Sequence, residues 1–237
     1  MKPRKPTLIT VMGNNGAEME FVPLRMDLTE RAVMTPVHYQ WLASPSQTVE
    51  RMPLEREASE TGRTTSLVRY QPGAAFAEHA HPRGEEILVL EGVFQDEHGD
   101  YPAGTYLRNP PGSSHRPRSQ DGCLLFVKLC QFADDDLAQI RINTNQTPFV
   151  QGHGGLRVLP LHQHGTEGTA LVFWPKGERF VPHTHVGGEE IFVISGCFQD
   201  EHGLYPKGSW LRSPHLSSHH PWVEEDTLIY VKTGHLI

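Results

Sequence analysis

Residues 65–117 read TSLVRYQPGAAFAEHAHPRGEEILVLEGVFQDEHGDYPAGTYLRNPPGSSHRP, and residues 169–221 read TALVFWPKGERFVPHTHVGGEEIFVISGCFQDEHGLYPKGSWLRSPHLSSHHP. The two stretches align without a gap at a constant offset of about 104 residues, and somewhat more than half of their positions are identical. Self-similarity at that level marks a duplicated structural unit. The echo fades outward, with residues 126–129 (FVKL) answering to 230–233 (YVKT), and 52–55 (MPLE) to 159–162 (LPLH). Each unit is thus about a hundred residues, an ordinary domain size.

Within a unit the pattern is strand and turn. The apolar runs at residues 87–90 (ILVL) and 191–194 (IFVI) end near Gly92 and Gly196, and the Asp-Glu-His-Gly stretches at 96–99 and 200–203 have the composition of hairpin turns. Amphipathic helical periodicity is nearly absent. Short strands punctuated by Gly and Pro predict an all-β sandwich or barrel, repeated in tandem. The expected layout is a first barrel with an N-terminal β extension over residues 1–132, a polar linker over 133–148 with one turn of helix after Asp134, and a second barrel over 149–237. The first forty residues are expected to cover the first barrel.

Composition narrows the function. The 237 residues carry a formal net charge of −7 and no basic patch, which argues against nucleic acid as a partner. No apolar run approaches a membrane span, and the basic start lacks a signal h-region. Cys123, Cys130 and Cys197 are odd in number and form no C-x-x-C, so neither a disulfide scaffold nor a cysteine zinc ribbon is expected. A reducing cytoplasm fits this usage. There is no nucleophile elbow, phosphate loop or dinucleotide fingerprint. The 15 histidines are the feature that points to chemistry.

His79 and His81 stand two apart, as do His183 and His185, and residues i and i+2 of a strand share a face. A short glycine-containing turn follows each pair and leads to the carboxylates Glu85 and Glu86, or Glu189 and Glu190. A third histidine, His115 or His219, arrives on a later strand. Three imidazoles and a carboxylate suit a borderline divalent ion: zinc first, with iron(II), manganese or nickel as alternatives. A lone surface histidine is usually only a histidine, but the complete set occurring twice at one spacing argues for two metal sites.

These motifs resemble those of the cupin superfamily, whose first motif (Gly, five residues, His-x-His, three or four residues, Glu, six residues, Gly) is matched by Gly73, His79, His81, Glu85 and Gly92. The second copy reads Gly177, His183, His185, Glu189 and Gly196. The second motif (Gly, five residues, Pro-x-Gly, two residues, His) is matched by Gly104, Pro110, Gly112 and His115, and by Gly208, Pro214 and His219 with Leu216 in place of the glycine. That departure is expected to alter the turn before His219. The asparagine that often follows the second motif is Ser119 here. The resemblance implies tandem double-stranded β-helix (jelly-roll) barrels. It also selects Glu85 and Glu189 as ligand candidates beside His79, His81, His115, His183, His185 and His219, with Glu86 and Glu190 facing away.

A narrower resemblance is to the ChrR-like cupins, carried by residues 84–104 and their copy. That family takes its name from a zinc-binding anti-sigma factor with a separate helical N-terminal domain. Nothing in this chain matches that domain, so sigma-factor binding is not implied. The resemblance implies a metal-binding cupin that senses or regulates through a small molecule, with one zinc per barrel. The alternative is an iron(II) dioxygenase acting on a dicarbonyl or hydroxyketone, and a third reading is metal that merely stiffens the barrel. Whether the chain is an enzyme, and whether it is a monomer or a homo-oligomer, stays open at this level.

Several further residues carry expectations. Arg108 and Arg212 either hold a ligand carboxylate in the pocket or pair with a neighbouring acid. His98 and His202 are expected in exposed turns, His215 and His220 in a solvated loop, and Tyr106 and Trp210 in the core.

Overall fold

The computed structural model describes residues 11–12, 18–19, 22–44, 47–58 and 61–236; the rest of the N-terminal extension lies outside the described residues. Strands dominate, and the one helical turn among the described residues is the 3-10 turn Pro36–His38. Among the described residues no helix is long and apolar enough to cross a membrane.

Alternation along the strands explains the architecture. In Glu85–Gln95, Ile87 and Val89 point into a core with Leu107, Leu125 and Val127, the interior of the first barrel. Their neighbour Leu88 joins Tyr106 and Phe126 on the opposite face. The second unit repeats this: Ile191, Val193, Leu211 and Ile229 fill its barrel, while Phe192, Trp210 and Tyr230 face outward. The outward faces of the two barrels meet. Met52, Leu54 and Leu67 of the first unit and Leu159, Leu161 and Leu171 of the second complete this shared core, and Phe126 stacks on Phe192 at 4.8 Å. Strands buried on both faces read as continuous apolar runs, which is why ILVL and IFVI lack a polar beat. Tyr106 and Trp210 are core residues as expected, in the core between the barrels.

Charge is buried there too. Lys128 of the first unit meets Glu190 of the second at 2.5 Å, and Lys232 of the second meets Glu86 of the first at 3.0 Å, a reciprocal pair of ion pairs. Arg108 binds Glu86 at 3.1 Å and also pairs with Asp136, while Arg212 pairs with Glu55. The arginines thus take the ion-pairing role and lie outside the barrel interiors.

The strand order corrects the expected layout. The larger sheet of the first unit runs Ile140–Asn143, Thr105–Asn109, Glu85–Gln95, Cys123–Leu129, Thr64–Tyr70, Val49–Arg56, Leu42–Ala43. Its counterpart runs Val150–Gln151, Arg157–His164, Glu167–Trp174, Thr227–Thr233, Glu189–Ser195, Trp210–Ser213, Ala32–Met34. The segment 133–148, expected to be a linker with a helical turn, therefore supplies a strand to the first sheet and forms no helix. The N-terminal region, expected to cover the first barrel, does so in part: Leu24 bridges Arg56, Arg25 donates to the Leu54 carbonyl and Leu42–Ala43 pairs with Val49–Arg56, whereas Ala32–Met34 pairs with Trp210–Ser213 of the second. Each unit lends a leading strand to the other. The physical reason is the edge: Thr105–Asn109 and Trp210–Ser213 would otherwise expose a row of unpaired backbone groups beside a buried ion pair. Arg212 also donates to the carbonyls of Arg25 and Asp27, at 2.7 and 2.8 Å, fixing this crossing.

Two glycines show which turn positions are forced by neighbours and which by backbone conformation alone. Gly92 has φ +71°, and a Cβ there would lie 2.1 Å from the Gly122 carbonyl oxygen; Gly73 has φ +77° and open space around it. Gly73→Ala is expected to cost about 1–2 kcal/mol, the left-handed penalty alone. Gly92→Ala adds a backbone clash and should cost clearly more, on the order of 3 kcal/mol. Urea unfolding of the two variants checks this, and equal costs would contradict it.

Candidate metal centres

In each barrel two short strands bring the histidines together. His79–His81 pairs with Ser113–His115, setting His79 opposite His115, and His183–Thr184 pairs with Ser218–His219, setting His183 opposite His219. The long strands Glu85–Gln95 and Glu189–Ser195 then place Glu85 and Glu189 on their inward faces. In the first barrel the three imidazole centres lie 4.9, 5.0 and 5.2 Å apart; in the second, 4.6, 4.8 and 4.9 Å.

The first cluster has His81 Nε2 3.1 Å from His115 Nε2, with Glu85 Oε2 3.4 and 3.5 Å from these two nitrogens. In the second, Glu189 Oε2 is 3.5 Å from both His185 Nε2 and His219 Nε2. Two donor atoms bound to one ion at about 2.1 Å lie about 3.0–3.4 Å apart, so these spacings match a shared ion. His185 Nε2 is buried without any hydrogen-bond partner, an orphan aimed into the cluster. A buried lone pair in that state is costly unless something electrophilic meets it. The residues fit a divalent metal on these grounds. Ligand atoms of His183, His185, Glu189 and His219 all fall within 4.8 Å of one another; in the first barrel the group that does so is His79, His81 and His115.

Supporting contacts orient the rings. His79 Nδ1 and His183 Nδ1 each lie 3.0 Å from a carbonyl, of Ala77 and Val181, which leaves Nε2 free for a metal. His115 Nδ1 and His219 Nδ1 each face a carboxylate at 3.5 Å, Asp96 or Asp200. These acids are anchored by their own turn. Asp96 Oδ1 accepts from the His98 and Gly99 amides (2.7 and 3.1 Å) and from the Tyr101 hydroxyl (3.0 Å). Asp200 repeats this with His202, Gly203 and Tyr205, at 2.8, 3.1 and 2.8 Å, and adds Arg31 at 2.7 Å. The Asp-Glu-His-Gly stretch is thus a turn, as its composition suggests, with a second task that composition did not reveal. Its repetition in both units beside a ring-bearing strand was the available signal. His98 and His202 point to solvent as expected.

Burial works to raise both aspartates, yet the facing imidazole and the amide and hydroxyl hydrogen bonds hold each carboxyl down at about 2. His185 is pushed down to about 3 by burial and by the neighbouring His219 and His183. Burial raises the Glu189 carboxyl to about 7. Glu85 differs from Glu189 in having a donor, the Asn109 amide at 2.9 Å, itself held by Arg141 at 2.6 Å. The second unit has Ser213 at that position. Replacing Asp96 with Asn keeps the turn's acceptor and removes the charge behind His115. Metal affinity of the first barrel is expected to fall about 10- to 100-fold, measured by competition against a chromophoric chelator. An unchanged affinity would show that Asp96 serves the turn alone.

The departure at Leu216 leaves the turn intact. Leu216 takes φ 62°, close to the 83° of Gly112, and His219 still reaches its cluster. A nearby support is the Gly187 amide, which donates to His215 Nδ1 at 2.8 Å. His215 is exposed in the turn before Ser218–His219, as expected, and its ring nitrogen also braces the Gly187 turn.

A cavity of about 510 Å³ opens onto the first cluster, reaching His79, His81, Glu85 and His115 between apolar walls that include Phe76 and Leu125.

Two duplicated β-barrels, each holding a three-histidine, one-glutamate cluster at the same motif positions, define a bicupin. The model of the ChrR cupin-like domain matches residues 29–133 and 137–237, and the chain belongs to that family. Among solved structures it is similar to a protein of Nostoc punctiforme provisionally assigned as a dioxygenase, with a TM-score of 0.70 and 13% identity, covering 90% of this chain and 84% of that one. It is similar to the Escherichia coli pirin YhhW in complex with nickel(II), with a TM-score of 0.65 and 14% identity over 88% and 100% of the two chains. The oxalate decarboxylase of Lactobacillus farciminis in its formate complex gives a TM-score of 0.65 and 13% identity over 91% and 90%. These likenesses concern the fold. Curated protein sequences gave no match.

Proposed function

We propose that each barrel binds one divalent metal ion and that the first barrel is the functional centre, where a small molecule meets the metal. His79, His81, Glu85 and His115 would hold the first ion, and His183, His185, Glu189 and His219 the second. The carrying observation is the cavity of about 510 Å³ that ends on the first cluster, within the size range of small-molecule sites. Three histidines and a glutamate leave positions open on a six-coordinate ion, which favours iron(II), manganese or nickel over tetrahedral zinc in that barrel. Such an ion would supply Lewis-acid or oxygen chemistry to a bound ligand. The chain's own contribution is to orient the imidazoles through Asp96 and Ala77, hold Glu85 through Asn109, and line the approach with apolar side chains such as Phe76 and Leu125. A metal-dependent dioxygenase is the enzyme this supports, and the neighbouring fold provisionally assigned to that activity agrees with it. The zinc-sensor reading retains one specific support: the second cluster draws all four candidates within 4.8 Å, a set that a tetrahedral ion would saturate.

Cobalt(II) substitution tests the assignment. In a variant whose second cluster is disabled by His185→Ala, the first site should give weak five- or six-coordinate visible bands. Those bands should shift when a small bidentate oxygen ligand is added. An intense tetrahedral spectrum indifferent to added ligand would overturn the proposal.

A further inference from the structure

The strand Val49–Arg56 turns Val49 into the interior of the first barrel, and Arg51 two residues later lines the mouth of the cavity. Its guanidinium lies 5.9 Å from the centre of the Phe76 ring, which in turn lies 6.2 Å from the His79 ring. Arg51 is exposed, and among the described residues no carboxylate lies within 4.0 Å of it. The two acids of the cavity are otherwise engaged: Glu78 with Arg116 at 2.9 Å, and Glu85 with the Asn109 amide. The second arginine at this mouth, Arg56, donates to the Ala58 carbonyl at 2.9 Å.

The duplication supplies the comparison. Arg51 pairs in register with Val68, and Val158 pairs in the same way with Val172, the residue that matches Val68 in the repeat. The second barrel thus carries valine where the first carries arginine. The histidines, the glutamate and the supporting aspartate are duplicated, whereas at this register position the cation belongs to the first barrel. An unpaired guanidinium above an apolar-walled cavity is a fork for a planar anion, and bidentate carboxylate binding is what that geometry serves best.

We propose that the first barrel selects a small carboxylate-bearing ligand, with Arg51 holding the carboxylate while the rest of the molecule reaches toward the histidine cluster. This rests on the reading of that cluster as a metal site with a small-molecule ligand, and makes Arg51 a specificity-determining residue outside the metal's own ligands.

The test is calorimetric titration of the metal-loaded full chain with succinate, 2-oxoglutarate and benzoate, beside succinamide, benzamide and a neutral dicarbonyl, with bound metal measured on the same samples. At least one carboxylate should bind saturably and more tightly than its neutral counterpart. Arg51→Gln should weaken that binding about 10- to 100-fold with metal content and thermal midpoint unchanged, and Arg51→Lys should restore part of it. Carboxylates that bind Arg51→Gln as tightly as the native chain, neutral ligands that bind equally well, or no saturable carboxylate binding would each overturn the Arg51 inference. Failure of the chain to retain metal in the first barrel would instead overturn the metal-site reading beneath it.

Discussion

Replacing His81 with alanine is expected to lower bound divalent metal from about two ions per chain to about one, and adding His185→Ala should remove the second. These two imidazoles are chosen because each is buried and turns Nε2 toward its cluster: His81 to within 3.1 Å of His115, and His185 with no other partner. Removing either would take one of three nitrogen donors from the proposed ion. The remaining carboxylate and two rings would form a site weaker by orders of magnitude. Equilibrium dialysis followed by elemental analysis reads the result. Retention of two ions by the double variant would show that metal sits elsewhere.

Glutamate 86 carries the second large effect. Its carboxylate binds Lys232 at 3.0 Å and Arg108 at 3.1 Å, and accepts from the Tyr230 hydroxyl, in the sealed space between the barrels. Glu86→Ala leaves those cations buried with only part of their compensation, from Asp136 and Glu167. Breaking a buried pair on one side costs about 3–5 kcal/mol. For a chain of this size the melting temperature should fall on the order of 10 °C. The exposed pair Lys207–Glu91, at 3.4 Å, is the control, and Glu91→Ala should cost less than about 1 kcal/mol. The pH dependence has a definite sign. Burial alone would raise the Glu86 carboxyl, but Lys232, Arg108 and Lys128 outweigh it and hold it at about 2, below its ordinary 4.5. A depressed carboxylate stabilises the fold above its unfolded value, and that contribution is lost as pH falls from about 4.5 toward 2. Glu86→Gln should therefore lose less stability than the native chain across that window. Matching acid sensitivity in the two proteins would contradict the assignment.

The parts of the molecule legible in the sequence are those the duplication states twice. Two aligned copies of His-x-His, Glu and a later His specify which strand faces look inward, and alternation then sends Glu86 and Glu190 outward. The long-range exchanges were not legible. Nothing local to Ala32–Met34 or Ile140–Asn143 says which barrel's edge each will cover, because backbone pairing carries little side-chain information. Asp96 and Asp200 were hidden behind a sufficient local explanation, since an aspartate that caps its own turn needs no further reason to be there. Arg51 was hidden by the opposite circumstance: it lies before the aligned repeat, where the valine in its place becomes visible only through strand register. Leu216 read as damage to a turn because glycine is the usual residue at positive φ, whereas the surrounding hydrogen bonds hold leucine there.

The most direct measurement is metal content by plasma mass spectrometry on protein purified anaerobically without added metal or chelator, followed by reconstitution. About two ions per chain is the expected result, with iron, manganese or nickel in the first barrel. Zinc alone in both sites would return the balance to sensing or structure. No bound metal, and none taken up from any of these ions, would contradict the central claim for both clusters.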